Sequence, residues 1–343
     1  MLNAFFAWYE GLTDTLLGSL ALFAVGLVLL IKGGDWFVDS ATGIAKRFRV
    51  PEIIIGATVV SIGTTLPEVM VSATAAVNQN GAIAYGNAIG SIICNTALIA
   101  ALTIAIRPAP VNRKAIKMPV LFFFVSAAIY LIAAYGFGSF DRWLGIVMLG
   151  VFAVYMILTV RAGFRNPDSV AAHEEAEEAA EGSLVKDLVV LIVSAALIAV
   201  GADMLEGSSV SLATMAGIPT EVVGVTIVAL CTSLPELVTA ITALAKGHGA
   251  LSLGNIIGAN IFNLVLVSGV AVTISPFAVP EGSTIFGRNT FLVMEIPVMV
   301  GVMALMTLPA LLKKKLFRWQ GGVLLGIYVA FVVVQVLIAL HVI

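Results

Sequence analysis

The feature that most constrains the fold of this chain is a series of long apolar runs separated by short polar connections. A run of roughly 18 to 25 residues is the length that a helix needs to cross a hydrocarbon layer about 30 Å thick. Barrel strands would instead alternate apolar and polar residues over about ten positions. With 60% hydrophobic and only 11% charged residues, and a mean hydropathy of +1.08, the 343-residue chain has too little polar surface for a water-soluble domain. The sequence therefore predicts an all-α membrane protein.

The apolar runs predict about ten transmembrane helices. Their expected positions are 15–40, 50–77, 82–106, 116–136, 142–163, 185–208, 219–245, 250–274, 288–311 and 319–341. The first and sixth spans are long, and each is expected to end in a bent or interfacial piece. The one long polar connection, 164–184, is acidic and has no hydrophobic face, which is typical of a solvated linker.

Basic residues near the ends of the predicted spans fall almost entirely on one side of the membrane. If ten spans alternate, one side receives fifteen Lys and Arg residues and the other receives only Arg142 and Arg288. Cytoplasmic loops carry the excess of basic residues. The distribution predicts a multi-pass protein of the cell membrane with both termini outside and the 164–184 linker in the cytoplasm.

An internal repeat relates the two halves of the chain. At a shift of 168 residues, Thr64–Glu68 (TTLPE) aligns with Thr232–Glu236 (TSLPE), and Gly86–Gly90 (GNAIG) aligns with Gly254–Gly258 (GNIIG). Each half holds five predicted spans, and because five is an odd number the second copy must enter the membrane from the opposite side. Inverted repeats of this kind are common in secondary transporters, whose substrate sites lie near the midplane on broken helices.

The duplication also divides the chain. It predicts a first repeat over residues 1–163 and a second repeat over residues 185–343, with the acidic linker 164–184 between them. The first and sixth spans carry no comparable polar core. They are therefore the candidates to slide against the rest during transport.

Glu68 and Glu236 are the leading candidates for site residues. Each lies near the middle of a predicted span, where a carboxylate costs roughly 2.5–3.5 kcal/mol to insert, and no Lys or Arg lies deep in any core span to pair with it. Each follows a proline, which removes one helical hydrogen bond and leaves a backbone carbonyl free. A carboxylate, a hydroxyl and a free carbonyl form a set of hard oxygen ligands suited to Ca²⁺ or Na⁺.

Four asparagines lie in the companion segments. Asn95 and Asn263 occupy equivalent positions and could supply amide oxygens to ions, although hydrogen bonding between helices is the competing interpretation. For Asn87 and Asn255, a structural and a functional role are equally open.

The remaining acids and glycines of the spans are expected to serve structure. Asp35 and Asp203 lie near span ends, where capping or gating is expected, and Glu295 is expected to have a packing or cavity role. The glycines of Gly86–Gly90 and Gly254–Gly258 are expected to let helices approach closely.

The motifs Gly63–Glu68 and Cys231–Glu236, with their Gly-Asn-x-Ile-Gly companions, resemble the two alpha-repeats of the Ca²⁺/cation antiporter superfamily, in particular its prokaryotic Na⁺/Ca²⁺ exchangers. The resemblance extends over essentially the whole chain. It implies Ca²⁺ and Na⁺ as transported ions, no cofactor, and the lipid bilayer as surroundings, with backbone oxygens near Ser61 and Ala229 at the site. The side-chain ion ligands that it implies are Thr64, Thr65, Glu68, Ser91, Asn95, Thr232, Ser233, Glu236 and Asn263.

Two positions depart from the pattern of that branch. Its members often carry aspartate where this chain has Asn263 and serine where it has Ala259. The site would then hold two negative charges, which one Ca²⁺ balances and three Na⁺ exceed. The Na⁺ stoichiometry and the choice between Na⁺ and H⁺ as driving ion therefore stay open, as do the Ca²⁺ affinity, the direction of transport and the oligomeric state.

Several rival functions follow from the same residues. The nearest is a H⁺/Ca²⁺ antiporter with Glu68 and Glu236 as proton carriers, although proton-coupled relatives resemble a Gly-Asn-Ala-x-Glu motif instead of Thr-x-Leu-Pro-Glu. Another divalent cation such as Mg²⁺ would require a tighter octahedral shell with retained waters. An intramembrane enzyme is disfavoured because all three histidines lie in loops or at the chain end and no His-Glu-x-x-His motif occurs. Inverted halves are less typical of a channel than of a transporter whose closed site opens alternately to each side of the membrane.

Overall fold

The computed structural model describes residues 11–48, 50–108, 111–165, 183–217, 229–280, 284–285, 287–340 and 342. Side chains are described within these ranges except at residues 163–165, 206, 229, 232 and 339. The greater part of the predicted 164–184 linker and the first ten residues of the predicted span 219–245 therefore lie outside the described residues.

The described part of the chain is almost entirely helical, which confirms the predicted fold class. The helices are α1 (Leu16–Arg47), α2 (Glu52–Val77), α3 (Gly81–Ile106), α4 (Arg113–Phe137), α5 (Arg142–Arg165), α6 (Leu184–Met215), α7 (Ala229–Thr232), α8 (Leu234–Ala245), α9 (Gly249–Ile274), α10 (Phe291–Lys313) and α11 (Arg318–Ala339). Two short antiparallel ribbons complete the secondary structure: β1 (Ser139–Phe140) pairs with β2 (Phe277–Ala278), and β3 (Thr284–Ile285) pairs with β4 (Arg288–Asn289).

Nine helices within the described residues are long and apolar enough to cross a membrane. The tenth predicted span, 219–245, is described only from residue 229, as the short helices α7 and α8. The terminal pieces expected for the first and sixth spans are not separate segments, because α1 and α6 are each a continuous α-helix of 32 residues. Both contain many residues of high helix propensity and no proline, so nothing in the sequence interrupts either helix.

Helices α1 and α6 pack against each other in opposite directions. At one end the Ser19 hydroxyl donates to the Ser211 hydroxyl at 3.1 Å, and at the other end Arg47 lies 3.6 Å from Asp187. Between these contacts the backbones touch, since a Cβ added at Gly26 would lie 2.8 Å from the Gly201 carbonyl oxygen. The two helices are equivalent under the 168-residue shift, so their antiparallel packing shows that the repeats are inverted.

Helices α2 and α9 cross closely between the halves. A Cβ added at Gly254 would lie 2.2 Å from the Ile53 carbonyl oxygen, and one added at Gly258 would lie 2.3 Å from the Ser61 Oγ. These two glycines therefore have the predicted packing role. Gly86 and Gly90 have no atom that close within the described part of the chain. Under the 168-residue shift, their expected contacts, the equivalents of Ile53 and Ala57, are residues 221 and 225, which lie outside the described residues.

Candidate ion-binding site

Both predicted glutamates are fully buried, and each follows a proline. Glu68 lies in α2, which continues as a helix through Pro67. Glu236 lies in the first turn of α8, directly after the chain leaves helical geometry at Ser233. The predicted interruption at the proline is thus present in the second repeat, whereas α2 absorbs its proline without ending. Because a proline cannot donate to the carbonyl four residues earlier, the carbonyl of Gly63 lacks this helical bond.

The two glutamate motifs meet across the repeats, and neither glutamate forms a salt bridge among the described residues. Glu236 Oε1 accepts a hydrogen bond from the Thr65 hydroxyl of α2 at 3.4 Å. Glu236 Oε2 and both carboxylate oxygens of Glu68 have no hydrogen-bond partner among the described residues. A buried carboxylate without a partner is strongly unfavourable, so this arrangement favours a cation between the two repeats.

Further unpartnered polar atoms belong to the other predicted ligands. Both amide atoms of Asn95 and of Asn263 are buried with no partner in the described structure, and so are the Ser91 and Ser233 hydroxyl oxygens. In total, nine of the fourteen such atoms found in the described residues belong to six of the predicted ligands. Buried polar side-chain atoms are normally hydrogen-bonded, so this concentration makes these six residues candidate ion ligands.

Asn95 and Asn263 also share a local backbone geometry. A π-helical turn begins at each of them, over Asn95–Ala100 in α3 and over Asn263–Val267 in α9. Such turns are rare and frequently occur at functional sites. The sequence motif does not predict these turns. Their equivalent positions in the two repeats support a shared role for Asn95 and Asn263.

The two threonines of the first motif differ in their contacts. The Thr64 hydroxyl donates to Asn255 Oδ1 at 3.3 Å, whereas the Thr65 hydroxyl reaches Glu236 on the opposite repeat. Both residues are buried. In the second repeat, Thr232 ends α7 and its side chain lies outside the described residues.

Asn255 and Asn87 hold the site helices in place. Asn255 Oδ1 accepts from Ser61 at 3.2 Å as well as from Thr64, and its Nδ2 donates to Thr239 at 3.1 Å. Asn87 Nδ2 donates to the Glu68 carbonyl oxygen at 3.1 Å and to Ser72 Oγ at 2.9 Å. These contacts give both residues a structural, positioning role. The sequence alone left a structural and a functional role equally open for them. A residue that the sequence analysis missed, Asn260, similarly donates to Thr96 at 2.7 Å.

This difference between the asparagines leads to a testable contrast. Replacing Asn255 by alanine removes the Oδ1 acceptor of the Thr64 hydroxyl and the Nδ2 donor to Thr239, while Ser61 keeps backbone carbonyls as acceptors. We therefore expect the protein to lose about 1–3 kcal/mol of stability. Replacing Asn95 by alanine removes two atoms that have no partner, so we expect little loss of thermal stability but weaker ion binding. Thermal unfolding and Ca²⁺ binding of the two purified variants measure both effects. Equal destabilisation in the two variants would contradict the assigned roles.

The acidic residues outside the motifs take other partners. Asp35 and Asp39 of α1 contact Lys246, which follows α8, at 2.6 and 2.7 Å. Burial acts to lower the pKa of Lys246, but its hydrogen bonds with these two aspartates outweigh that effect and raise the pKa. Glu295 accepts a hydrogen bond from Gln335 of α11 at 2.9 Å, in agreement with a packing role.

No group of three His, Cys, Asp or Glu side chains that could hold a metal comes together among the described residues. A site built here must therefore combine the two glutamates with hydroxyl, amide and backbone oxygens. Such oxygens are the ligands of Ca²⁺ and Na⁺, while transition metals favour imidazole and thiolate. The chemistry of the site thus agrees with hard cations.

The model of the family described as "Sodium/calcium exchanger protein" matches residues 18–161 and 186–337. This chain belongs to the sodium/calcium exchanger family. The resemblance found in the motifs is confirmed over both halves of this exchanger. A family of exchangers consists of transporters, which removes the intramembrane-enzyme alternative.

Curated relatives and solved structures agree with this assignment. The exchanger is 32% identical to the sodium/calcium exchanger MaX1 of Methanosarcina acetivorans, over 91% of this chain and 97% of the relative. It is 35% identical to the inner membrane protein YrbG of Escherichia coli, over 75% of this chain and 80% of the relative. A structure of the sodium-calcium exchanger NCX_Mj soaked with 2.5 mM Na⁺ and 1 mM Sr²⁺ superposes with a TM-score of 0.77 and 33% identity, covering 93% of this chain and 99% of that chain.

Proposed function

We propose that this exchanger transports Ca²⁺ against Na⁺ across the membrane at one site between α2 and α8. The observation that carries the proposal is the pair Glu68 and Glu236, two fully buried carboxylates from opposite repeats with no cationic partner among the described residues. Two of the relatives, MaX1 and NCX_Mj, are named as sodium/calcium exchangers, and these names support the same pair of ions.

In the proposed site, Ca²⁺ binds both glutamates together with nearby neutral oxygens. Ca²⁺ takes about six to eight oxygen ligands at flexible geometry, and two carboxylates balance its charge. Sodium ions bind at overlapping and flanking positions, so that the two substrates compete. The ligands that we propose are Thr64, Thr65, Glu68, Ser91, Asn95, Thr232, Ser233, Glu236 and Asn263, with backbone oxygens near Ser61 and Ala229.

Alternating access is proposed to come from α1 and α6 moving as a pair. These helices are tightly packed on each other and contribute none of the proposed ligands. In the state described here, Lys246 holds α1 against the end of α8 through Asp35 and Asp39. Breaking these contacts and sliding the pair would expose the site to the other side of the membrane, as in other inverted-repeat transporters.

The topology follows from the distribution of basic residues. We propose a first repeat over residues 1–163, a cytoplasmic linker over 164–184 and a second repeat over 185–343, with both termini outside the cell. The excess of Lys and Arg on the side of the linker supports this orientation.

The test is Ca²⁺ uptake into proteoliposomes loaded with Na⁺, compared with K⁺-loaded vesicles and with an imposed pH gradient. We expect uptake with internal Na⁺ and only background uptake in the other two conditions. Uptake driven by the pH gradient alone would place the protein in the proton-coupled class. Absence of uptake under every gradient would mean that Ca²⁺ is not the substrate.

A further inference from the structure

One lysine holds the first helix of the exchanger against the helix that carries Glu236. Lys246 lies directly after α8, and its Nζ is 2.6 Å from Asp35 and 2.7 Å from Asp39 of α1. The same Nζ donates to the Asp35 carbonyl oxygen at 3.0 Å. The helices are also in close contact beside this lysine, since a Cβ added at Gly34 would lie 3.8 Å from the Val238 Cβ. Charge and packing together therefore close α1 on α8.

The equivalent positions of the other repeat lack the charges that form this contact. Under the 168-residue shift, Lys246 corresponds to Asn78 at the end of α2, and Asp39 corresponds to Gly207 of α6. Only Asp35 has a charged counterpart, Asp203, which forms no salt bridge among the described residues. The end of α2 and the facing part of α6 thus offer one amide and one carboxylate, where α8 and α1 offer a lysine and two carboxylates.

The structure covers one face of α8 and leaves the equivalent face of α2 open. Leu234 and Val238 of α8 are partly buried against the core, whereas their equivalents on α2, Leu66 and Met70, are 51% and 64% exposed. The difference continues over two further turns, at the equivalent pairs Thr74 and Thr242, and Asn78 and Lys246. Since the repeats are alike and opposite in direction, the state that opens the site to the other side would close α6 on α2.

The two aspartates of α1 add to the cost of leaving the described state. Asp35 and Asp39 lie four residues apart on one helix, where like charges are destabilising, and Lys246 offsets their repulsion only while α1 lies against α8. Moving α1 away from α8 breaks both ion pairs and leaves the two carboxylates unneutralised. Closing α6 on α2 forms no ion pair in exchange, because α2 carries Asn78 at the position of the lysine.

We propose that Lys246, Asp35 and Asp39 form a latch that biases the exchanger toward the state described here, and that the opposite state has no equivalent latch. The proposal rests on the proposed sliding of α1 and α6 and adds a difference in charge between its two end states. Both salt bridges are partly exposed to solvent, so each shifts the equilibrium between the states by roughly 1.5- to 5-fold. A latch of this strength sets the resting state and still lets the exchanger switch.

The experiment compares two engineered disulfides, each of which reports one end state. In the full chain with both native cysteines replaced, Gly34→Cys with Val238→Cys reports closure of α1 on α8. The equivalent pair, Ala202→Cys with Met70→Cys, reports closure of α6 on α2. Initial rates of crosslinking are measured in Ca²⁺-free proteoliposomes on addition of a mild oxidant. In Lys246→Asn, the rate of the first crosslink relative to the second should fall by about threefold or more.

A reciprocal variant and a matched control accompany this measurement. Asn78→Lys places a lysine at the position that faces Asp203 in the opposite state, so the second crosslink should form faster relative to the first. Lys114→Asn removes the same charge from an exposed position in the first turn of α4, and the ratio of the two rates should stay as in the unsubstituted chain.

The outcomes separate the latch from the transport assignment. An unchanged ratio in Lys246→Asn, or an equal change in Lys114→Asn, would overturn the latch. Absence of the crosslink between α6 and α2 in every variant would overturn it as well, because the proposed opposite state would then not form. The expected shift in a protein that shows no Na⁺-driven Ca²⁺ uptake would support the latch and contradict only the assignment of the transported ions.

Discussion

Replacing either Glu68 or Glu236 by glutamine is expected to abolish Na⁺-driven Ca²⁺ uptake. The substitution keeps the size of the side chain but removes one of the two negative charges of a fully buried site. Truncating one partner of a buried, bonded charge pair costs about 2–5 kcal/mol, so Ca²⁺ affinity should fall by roughly a hundredfold or more. Uptake of labelled Ca²⁺ into Na⁺-loaded proteoliposomes measures the effect.

Glu295→Gln is the control for this prediction. Glu295 is also buried within a membrane-spanning helix, but its carboxylate accepts from Gln335 and takes no part in the proposed site. It should retain most of the uptake. If Glu68→Gln or Glu236→Gln transports Ca²⁺ as well as Glu295→Gln does, the paired glutamates are not the transport site.

A disulfide between α1 and α8 is expected to arrest exchange reversibly. A Cβ added at Gly34 would lie 3.8 Å from the Val238 Cβ, which is close to the usual separation of about 3.8 Å in a disulfide. With Cys94 and Cys231 replaced, the pair Gly34→Cys and Val238→Cys should form this bond on oxidation. It would tie the proposed sliding helix to the helix that carries Glu236, so uptake should cease and should return on reduction.

A crosslink between α1 and α6 tests whether these helices move as a unit. A Cβ added at Gly26 would lie 3.1 Å from the Met204 Cβ and 2.8 Å from the Gly201 carbonyl oxygen, so Gly26→Cys and Met204→Cys can pair once the two backbones move slightly apart. Exchange should continue in this oxidised variant. Undiminished uptake through the oxidised α1–α8 crosslink would instead show that α1 does not slide against the core.

The general architecture and the composition of the site were predictable from residue patterns. Long apolar runs mark the helices by length alone, and the repeated Pro-Glu dipeptides place a carboxylate in each half at equivalent depth. Burial of Glu68 and Glu236 was predictable because each lies near the middle of an apolar span. The inverted orientation follows from the odd number of spans in each half and agrees with the antiparallel packing of α1 and α6.

Other features depend on tertiary contacts that residue patterns do not carry. The π-helical turns at Asn95 and Asn263 use the same residue types as α-helix, so composition does not distinguish them. The role of Asn255 depends on the crossing of α2 and α9, which brings Ser61 and Thr64 to its amide. Helices α1 and α6 continue through their expected terminal pieces, because a helix longer than the bilayer thickness can be accommodated by tilting.

The measurement that tests the central claim most directly is equilibrium binding of labelled Ca²⁺ to the purified exchanger, with Na⁺ as competitor. A single site between Glu68 and Glu236 predicts one Ca²⁺ per chain, displaced fully by Na⁺, and a loss of roughly a hundredfold or more in affinity in each of Glu68→Gln and Glu236→Gln. Two equivalent Ca²⁺ per chain, or one Ca²⁺ whose binding survives both substitutions unchanged, would contradict a site shared by the two repeats.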